Sequence, residues 1–538
     1  MGHETRIQRV AFIGWLVWCL VLGGFQEIGA SPVSARPLNV STTVLFYMNG
    51  DNDLTDEVLS TVDRMERVGS SDGLNIVALV DGHPTGVSRF GKKWVGTRLL
   101  HILPDDHTAQ INSTVLADWG EQDLGDPETL TRFIRVALER FPADRYIFCT
   151  FAHGKGVIDT GNLTGNPTGK SLFISTDATS ETIMPLNAFE DALAAGLDGR
   201  RFSLMVLFSC LSGMVEIAHA LGDVTDYLIA SEDEIRLVND PPGTHQLRGI
   251  SFEDLLLRLK MDPSISAVAL GRSIVERYLT PYTQPVSIIG PSGHNVLCRY
   301  SAGLALIDCR KIDGLAVALD DLAAQLIEDL KHPDLVIPTL SGIQASITKT
   351  QSYKSFLNLE YYDLSGWLDR LAQVTTSDLI HQKCRRIAGI LKSEVILFER
   401  HTQDTESGGM AIFFSHHLVP ENIYQAHQAM YRRTRFGRNT RWHEFIATYR
   451  YQMHRHNMEL VMYQARQAHR FGDTEQFQRL SKHAFRLLHR RIQEGRRERV
   501  EEHLAFFYTL PPGVLPPQLS EDLNTLIHYS GGTLHLSE

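Results

Sequence analysis

The spacing of apolar residues along the chain predicts strands that alternate with helices. Short continuous apolar runs bounded by glycine and polar residues are typical of buried parallel strands, and they occupy positions 43–48, 74–80, 146–152, 204–209 and 227–230. Apolar positions at helical spacing predict helices over 54–68, 128–141, 186–195 and 211–221. This alternation predicts an α/β fold with a mainly parallel sheet that helices flank.

The remainder of the chain has a different pattern. Positions 97–103 and 172–175 predict further strands, and 252–392 is mostly helical in period. The apolar run 409–414 predicts a late strand that rejoins the sheet. Beyond about Tyr451, many arginines accompany two long helical patterns that break near Gly472. The sequence therefore predicts a helical C-terminal extension over 451–538.

Two residues with catalytic chemistry stand at the ends of predicted strands. His153 and Gly154 follow one apolar run, and Cys210 ends another, with Gly213 just beyond it. Residues that do chemistry in open α/β sheets lie past the carboxyl ends of the strands. We expect a thiolate nucleophile that the following helix favours through its dipole, an imidazole for proton transfer, and the backbone N–H groups of Gly154 and Cys210 as an oxyanion site.

Composition and charge narrow the class of protein. The 538 residues carry a net charge of −11, which argues against a nucleic-acid binder. Arg6 and Arg9 precede a short apolar stretch and then small residues, a pattern that predicts a signal peptide over 1–35 and a secreted or periplasmic protein. An uncleaved anchor is the alternative, and no later segment has the pattern of a membrane span. Five cysteines outside that segment, at irregular spacing, indicate at least one free thiol.

Several ordered motifs resemble the clostripain family of cysteine peptidases, relatives of the caspases. They are TVLFYMNGDNDL, FCTFAHGKG, VLFSCLSGMVEIAHAL, DYLIASEDEI and GGMAIFFS, and the resemblance extends from near Thr42 to near Tyr451. It implies a caspase-like peptidase domain over 36–450. It also implies a thiol endopeptidase that acts on proteins or peptides through a Cys210 and His153 dyad and a thioester intermediate.

The expected substrate pocket departs from the family pattern. The family commonly has aspartate two residues before the cysteine, where it lines a pocket for arginine or lysine, but this chain has Phe208. Ser209 is expected beside it. Glu232, Asp233 or Glu234, after the next strand, can supply a substitute acid, and all three are equally well explained as solvated loop charges. The preference for the residue before the cleaved bond (P1) therefore stays open.

Other classes of function share these features. A catalytically silent protein with the same fold would bind peptides without turnover, and a transpeptidase would share the thioester. We expect no required cofactor, although the turn Asp51, Asn52 and Asp53 can also supply oxygens to calcium, which some relatives use. The basic C-terminal helices can hold a protein partner, but their interspersed glutamates favour an ordinary solvated helical hairpin.

Overall fold

Nine strands of a computed structural model form one mixed sheet, in the order β17-β14-β9-β8-β5-β1-β2-β3-β4. The structure describes residues 42–84, 94–108, 110–158, 173–235, 237–239, 247–282, 286–289, 295–298, 301–354, 360–402, 406–496, 499–511 and 513–530. The predicted signal peptide lies outside the described residues. The strands of this sheet are β1 (Thr42–Gly50), β2 (Leu74–Gly82), β3 (Thr97–His101), β4 (Thr114–Gly120), β5 (Arg145–Phe151), β8 (Leu204–Phe208), β9 (Tyr227–Ala230), β14 (Gly303–Asp308) and β17 (Ile396–His401).

The five central strands, from β9 to β2, run parallel, and the two pairs at each end run antiparallel. The predicted parallel core is therefore confirmed, with antiparallel edges added to it. Smaller sheets are formed by β6 (Ile174–Asp177) with β7 (Thr182–Met184), β10 (Val238–Asn239) with β11 (Leu247–Arg248), β12 (Val286–Ile289) with β13 (Asn295–Cys298), and β15 (Ser352–Lys354), β16 (Glu360–Asp363) and β18 (Ala411–Phe413).

Helices cover both faces of the large sheet. Those of the sheet-containing part are α1 (Thr55–Glu66), α2 (Pro127–Arg140), α3 (Leu186–Leu197), α4 (Val215–Leu221), α5 (Phe252–Met261), α6 (Ala267–Tyr278), α7 (Ile312–Lys331), α8 (Val336–Lys349), α9 (Leu364–Val374), α10 (Asp378–Ile390), α11 (Glu421–Tyr431), α12 (Arg435–Asn439) and α13 (Trp442–Arg455). Alternate residues of β1 separate the two cores: Leu45 and Tyr47 pack with α2 and α3, while Val44 and Phe46 pack with α1, α5 and α6. Burial on both faces explains why β1 is a continuous apolar run.

The C-terminal helices build a third apolar cluster. They are α14 (Asn457–Arg470), α15 (Thr474–Gln493), α16 (Val500–Tyr508) and α17 (Pro517–Ser530). Their cluster includes Met458, Phe485, Leu504 and Leu526, all nearly fully buried. The arginines of the sequence pattern thus accompany helices that bury an apolar face of their own. Among the described residues, no helix is long and apolar enough to cross a bilayer.

Two expectations for the fold are wrong. The run 409–414 forms β18, which pairs with β16 rather than rejoining the large sheet. The strand that completes that edge of the sheet is β17, whose residues are half-buried or exposed, so that apolar residues do not continue along its full length. The helix expected directly after Cys210 begins at Val215.

Candidate active site

His153 and Cys210 each follow one of two neighbouring parallel strands, and each lies the same number of residues beyond the last paired residues of those strands. The register of β5 with β8 ends at Phe151 opposite Phe208, and each of the two residues lies two positions further on. Ala152 N–H donates to the Phe208 carbonyl oxygen at 3.1 Å, which continues the pairing beyond the strands. Because adjacent strands lie about 4.8 Å apart, the backbones of His153 and Cys210 are neighbours at the carboxyl ends of these two strands.

Gly154 brings the two segments into direct backbone contact. A Cβ atom placed on Gly154 would lie 2.8 Å from Ser209 Cβ and 3.0 Å from Cys210 N, and closer still to the Cys210 carbonyl oxygen. Real Cβ atoms do not approach other heavy atoms so closely, so only glycine fits here. The close approach locks the histidine segment against the cysteine segment.

The His153 ring has a carboxylate partner that the sequence analysis assigned to another role. His153 Nε2 lies 2.6 Å from Asp53 Oδ1, and the two side chains are 37% and 82% exposed. Asp53 comes from the turn after β1, which is the strand next to β5. The position of an acid just past a neighbouring parallel strand was the available signal in the sequence. Asp53 thus contacts the Nε2 atom of His153, and Nδ1 is the ring nitrogen that Asp53 does not contact.

Cys210 lies in a tight turn rather than at the start of a helix. Leu211 has a φ of 55°, a left-handed conformation that is strained for a leucine, and its N–H donates to the Asp233 carbonyl oxygen at 3.1 Å. Helix α4 starts five positions after Cys210 and has seven residues, so the expected effect of its dipole on the thiol is not supported. The half-buried sulfur instead accepts a hydrogen bond from Ile235 N–H at 3.3 Å.

The expected oxyanion group of Gly154 has a defined direction. Lys155 N–H donates to Phe173 O at 3.1 Å and Ser175 N–H donates to His153 O at 3.2 Å. These bonds flank the bridge between Gly154 and Ile174. In such an antiparallel pair, the amide groups of the bridged residues point away from the partner strand. The Gly154 N–H therefore points away from β6.

The residues expected to line a substrate pocket occupy different environments. Phe208 is buried and stacks on Phe151, with ring centroids 4.2 Å apart and planes 9° apart. Its ring leaves no room for a side chain at Gly249. Ser209 is 1% exposed, and its Oγ has no hydrogen-bond partner among the described residues. Aromatic packing thus occupies the position where relatives commonly carry an aspartate.

Two of the candidate acids after β9, Glu232 and Asp233, have different hydrogen-bond partners. Glu232 is 2% exposed and accepts hydrogen bonds from the Ser407 hydroxyl and, at 3.1 Å, from Gly409 N–H. Burial and the neighbouring carboxylate of Asp363 raise the pKa of Glu232 well above its ordinary value. Glu232 therefore belongs to a buried network rather than to an accessible pocket. Asp233 is half-buried and accepts hydrogen bonds from Ser301 and Glu234 N–H.

The side chains of the acidic turn after β1 contact different parts of the structure. Asp53 faces His153, and Asn52 Nδ2 donates to Thr176 O at 2.9 Å. Only Asp51 is left to face other carboxylates, those of Glu121 and Asp177.

The free-thiol prediction is confirmed among the described cysteines. None of the four whose side chains the structure describes forms a disulfide, and they are Cys149, Cys210, Cys309 and Cys384. Cys210 is half-buried, whereas the other three are buried. Burial raises the pKa of the Cys149 thiol well above its ordinary value and that of Cys384 to about 12. Cys210 is therefore the most accessible thiol of the four.

Comparisons with known proteins identify the family of the chain and its fold. The model of the clostripain family matches residues 46–449. Clostripain from Hathewaya histolytica is 23% identical over 388 residues, which cover 66% of this chain and 69% of that protein. A secreted C11 cysteine protease from Bacteroides thetaiotaomicron, solved with an irreversible peptide inhibitor, has a TM-score of 0.51 and 17% identity, covering 75% of this chain and 99% of that one. An inactive zymogen C11 protease from Parabacteroides distasonis has a TM-score of 0.50 and 16% identity, and the match covers 74% of this chain and 97% of that one.

Proposed function

The chain belongs to the clostripain family and is a cysteine-type peptidase with a caspase-like fold, and on that premise we propose that it is an endopeptidase whose nucleophile is Cys210 and whose proton-transfer residue is His153. One observation carries the assignment. The two residues stand at equal offsets beyond paired positions of adjacent parallel strands, with the Gly154 backbone against Cys210.

Each group has a role in the proposed reaction. The Cys210 thiolate attacks the carbonyl carbon of the peptide bond, and the N–H groups of Gly154 and Cys210 stabilise the resulting oxyanion. His153 donates a proton to the departing amine, which leaves a thioester on the sulfur. His153 then takes a proton from water, whose oxygen attacks the thioester and releases the carboxylic acid, and the sulfur leaves as the Cys210 thiolate.

Asp53 acts in this scheme as a positioning residue. Its carboxylate holds Nε2 of His153 at 2.6 Å, so the neutral ring carries its proton on Nε2 and presents Nδ1 to the cysteine side. The same contact stabilises the imidazolium that protonates the amine. Because Asp53 is largely exposed, water screens this interaction and its contribution is modest.

The proposed P1 pocket differs from that of relatives with an aspartate before the cysteine. Phe208 supplies an aromatic surface that carries no charge, and Glu232 is turned into its buried network. Among the described residues, we therefore assign any selection for arginine or lysine at P1 to Asp233, which is half-buried beside the turn that holds Cys210. In a positional-scanning peptide library, the Asp233→Asn variant is expected to lose preference for basic P1 residues relative to neutral ones.

We further propose that the protein is exported. The support is the charged, then apolar, then small-residue pattern of positions 1–35. N-terminal sequencing of the mature protein is expected to start near position 31 or 36, and a mature chain that retains Met1 would contradict export by a cleaved signal.

Two alanine variants test the dyad. With a fluorogenic peptide library as substrate, Cys210→Ala is expected to abolish cleavage, and His153→Ala is expected to abolish turnover while Cys210 remains open to alkylation. Cys384→Ala removes a buried thiol elsewhere and serves as the matched control, with activity retained. Absence of Cys210-dependent cleavage, with and without calcium or prior limited proteolysis, would refute the peptidase mechanism. Substantial activity in His153→Ala would refute the role of the histidine.

A further inference from the structure

A groove of about 770 Å³ lies between the sheet-containing part of the chain and the C-terminal helices. Helices α8, α13, α14 and α15 line it, together with the segment 416–418 that follows β18. Gln464 Nε2 on α14 donates to Gln344 Oε1 on α8 at 2.8 Å, which joins two of its walls. A volume of this size is typical of a ligand site, and the residues that line it include neither Cys210 nor His153.

The groove is basic, although the whole chain carries a net charge of −11. None of the described residues that line it is an aspartate or a glutamate, whereas four are histidines and three are permanently charged cations, Lys349, Arg479 and Arg486. These three cations form no ion pair with an acid in the described part of the chain. A negatively charged ligand would therefore meet positive charge that no neighbouring acid of the groove neutralises.

The segment 416–418 is held in place from inside the protein. Arg450 is 5% exposed, and its guanidinium donates to the carbonyl oxygens of His416 at 3.3 Å and His417 at 3.0 Å. Leu418 N–H donates to His416 Nδ1 at 3.2 Å, so the neutral ring carries its proton on Nε2. This wall of the groove is therefore preformed, and His416 offers an N–H donor that suits a carboxylate.

The ring of His417 responds to the positive charge around the groove. Burial, together with the charges of His416, His454 and Arg450, lowers the pKa of this ring to about 4. Its Nδ1 atom is buried and has no hydrogen-bond partner among the described residues. An anion in the groove would reduce the positive potential that acts on this ring.

Apolar side chains share the lining with these groups. Leu418 is 74% exposed, and the other large apolar residues of the lining are Met453, Leu460, Val461 and Leu480. A small inorganic anion would leave these side chains in contact with water, whereas a peptide that carries both acidic and apolar residues would cover them. We propose that the groove binds an acidic peptide segment of a protein substrate, with apolar residues among its acids.

The groove is connected to the cysteine turn through β18. Ala411 N–H donates to the Gly213 carbonyl oxygen at 2.8 Å, and His416 follows five positions after Ala411. Since a residue spans at most about 3.6 Å, His416 lies within about 36 Å of Cys210. A substrate that occupies the groove can reach Cys210 with about 11 further extended residues. This use of the groove rests on the proposed Cys210 mechanism, whereas peptide binding itself does not.

Fluorescence anisotropy tests the binding, with Cys210→Ala in the full chain as the parent protein so that the probe stays intact. The probe is a fluorescein-labelled peptide, GELEELEG, and the same peptide with glutamine for each glutamate is the neutral probe. The parent is expected to bind the acidic probe more tightly than the neutral one. Arg479→Gln with Arg486→Gln is expected to raise the Kd of the acidic probe at least about 10-fold, because two charge-assisted contacts are lost.

Two further variants separate the groove from the basic surface of the C-terminal helices. Arg470→Gln with Arg490→Gln makes the same change at two exposed positions of α14 and α15 outside the groove, and is expected to bind like the parent. Leu418→Gln keeps the charge and removes an exposed apolar side chain, and is expected to raise Kd about 3-fold.

The outcomes separate the site from the peptidase mechanism. Equal Kd values for the acidic and neutral probes, or an unchanged Kd in Arg479→Gln with Arg486→Gln, overturn the site whether or not peptides are cleaved. An unchanged Kd in Leu418→Gln overturns the apolar part of the recognition. Tighter binding of pyrophosphate, octathymidylate or phosphatidylglycerol vesicles than of the acidic probe overturns the assignment to a peptide.

A kinetic assay with wild type tests the link to cleavage. The substrate is a fluorogenic peptide joined at either end to GELEELEG through a Gly/Ser linker of about 20 residues, whose average span is about 25 Å. Its kcat/KM is expected to exceed that of the glutamine version at least about 5-fold, through a lower KM. The advantage is expected to disappear in Arg479→Gln with Arg486→Gln. Equal kcat/KM values for the two substrates overturn the role of the groove in cleavage.

Discussion

Gly154→Ala is expected to separate the cysteine and histidine segments without removing either reactive group. The new Cβ would lie 2.8 Å from Ser209 Cβ, 0.6 Å inside the 3.4 Å at which ordinary contacts begin. The Cys210 backbone atoms are also within 3.0 Å, and a Cβ position is fixed by the backbone, so no change of side-chain rotamer relieves the contact. The two strand ends must therefore move apart by at least about half an ångström.

A displacement of this size is large for catalysis. Since about 1 Å of misplacement can cost about 100-fold in rate, we expect kcat/KM of Gly154→Ala to fall about 10- to 100-fold. The assay is cleavage of a fluorogenic peptide, with thermal unfolding measured on the same samples. Cys210 is expected to remain open to alkylation, because its sulfur is retained.

Gly314→Ala is the matched control for this prediction. Gly314 is exposed within α7, and an added Cβ would meet no heavy atom within 4 Å. Alanine favours a helix by up to about 1 kcal/mol over glycine, so activity and Tm are expected to be retained or raised slightly. A Gly154→Ala protein with wild-type kcat/KM and Tm would refute the close approach of the two segments.

Two further predictions concern acids around the site. Asp53→Asn is expected to lower kcat about 3- to 10-fold with little change in KM, because it weakens a charge-assisted but exposed hydrogen bond to His153; an unchanged kcat would contradict its positioning role. For Glu232, the raised pKa means that the native state holds a proton that the unfolded chain releases above about 4.5. The contribution of Glu232 to stability is therefore full at low pH and is lost as the pH rises. Urea unfolding measures this as the free energy of unfolding of wild type minus that of Glu232→Gln. We expect this difference to fall between about pH 5 and 8, by at most about 1.4 kcal/mol per pH unit. Glu128→Gln, an exposed change on α2, is expected to show no such trend, and a difference that rises with pH would contradict the reasoning.

The strands that carry the candidate site could be predicted because both of their faces are buried. β5, β8 and β9 are continuous apolar runs, and such runs stand out in a sequence. β4 and β17 were missed because they lie at the edges of the sheet, where most of their residues are exposed or half-buried. A strand exposed in this way carries little apolar signal.

The details around the cysteine depend on contacts that no local pattern contains. The helix predicted directly after Cys210 fails because Leu211 adopts a left-handed conformation and Gly213 packs against the backbone of Glu232. The partner of His153 lies 100 positions earlier in the chain. Local spacing could therefore identify the thiol and the imidazole, but it could not show which acid would meet the ring.

The buried acids beside the cysteine turn have a consequence for how the protein is made. Glu216 accepts hydrogen bonds from Phe413 N–H, 197 positions later, and from the Tyr431 hydroxyl, and Glu232 is held by Ser407 and Gly409. A nascent chain that ends before these residues contains both Cys210 and His153 but lacks the groups that complete the surrounding structure. Such distant contacts also form slowly. The structure around Cys210 would therefore be completed only after synthesis has passed Tyr431.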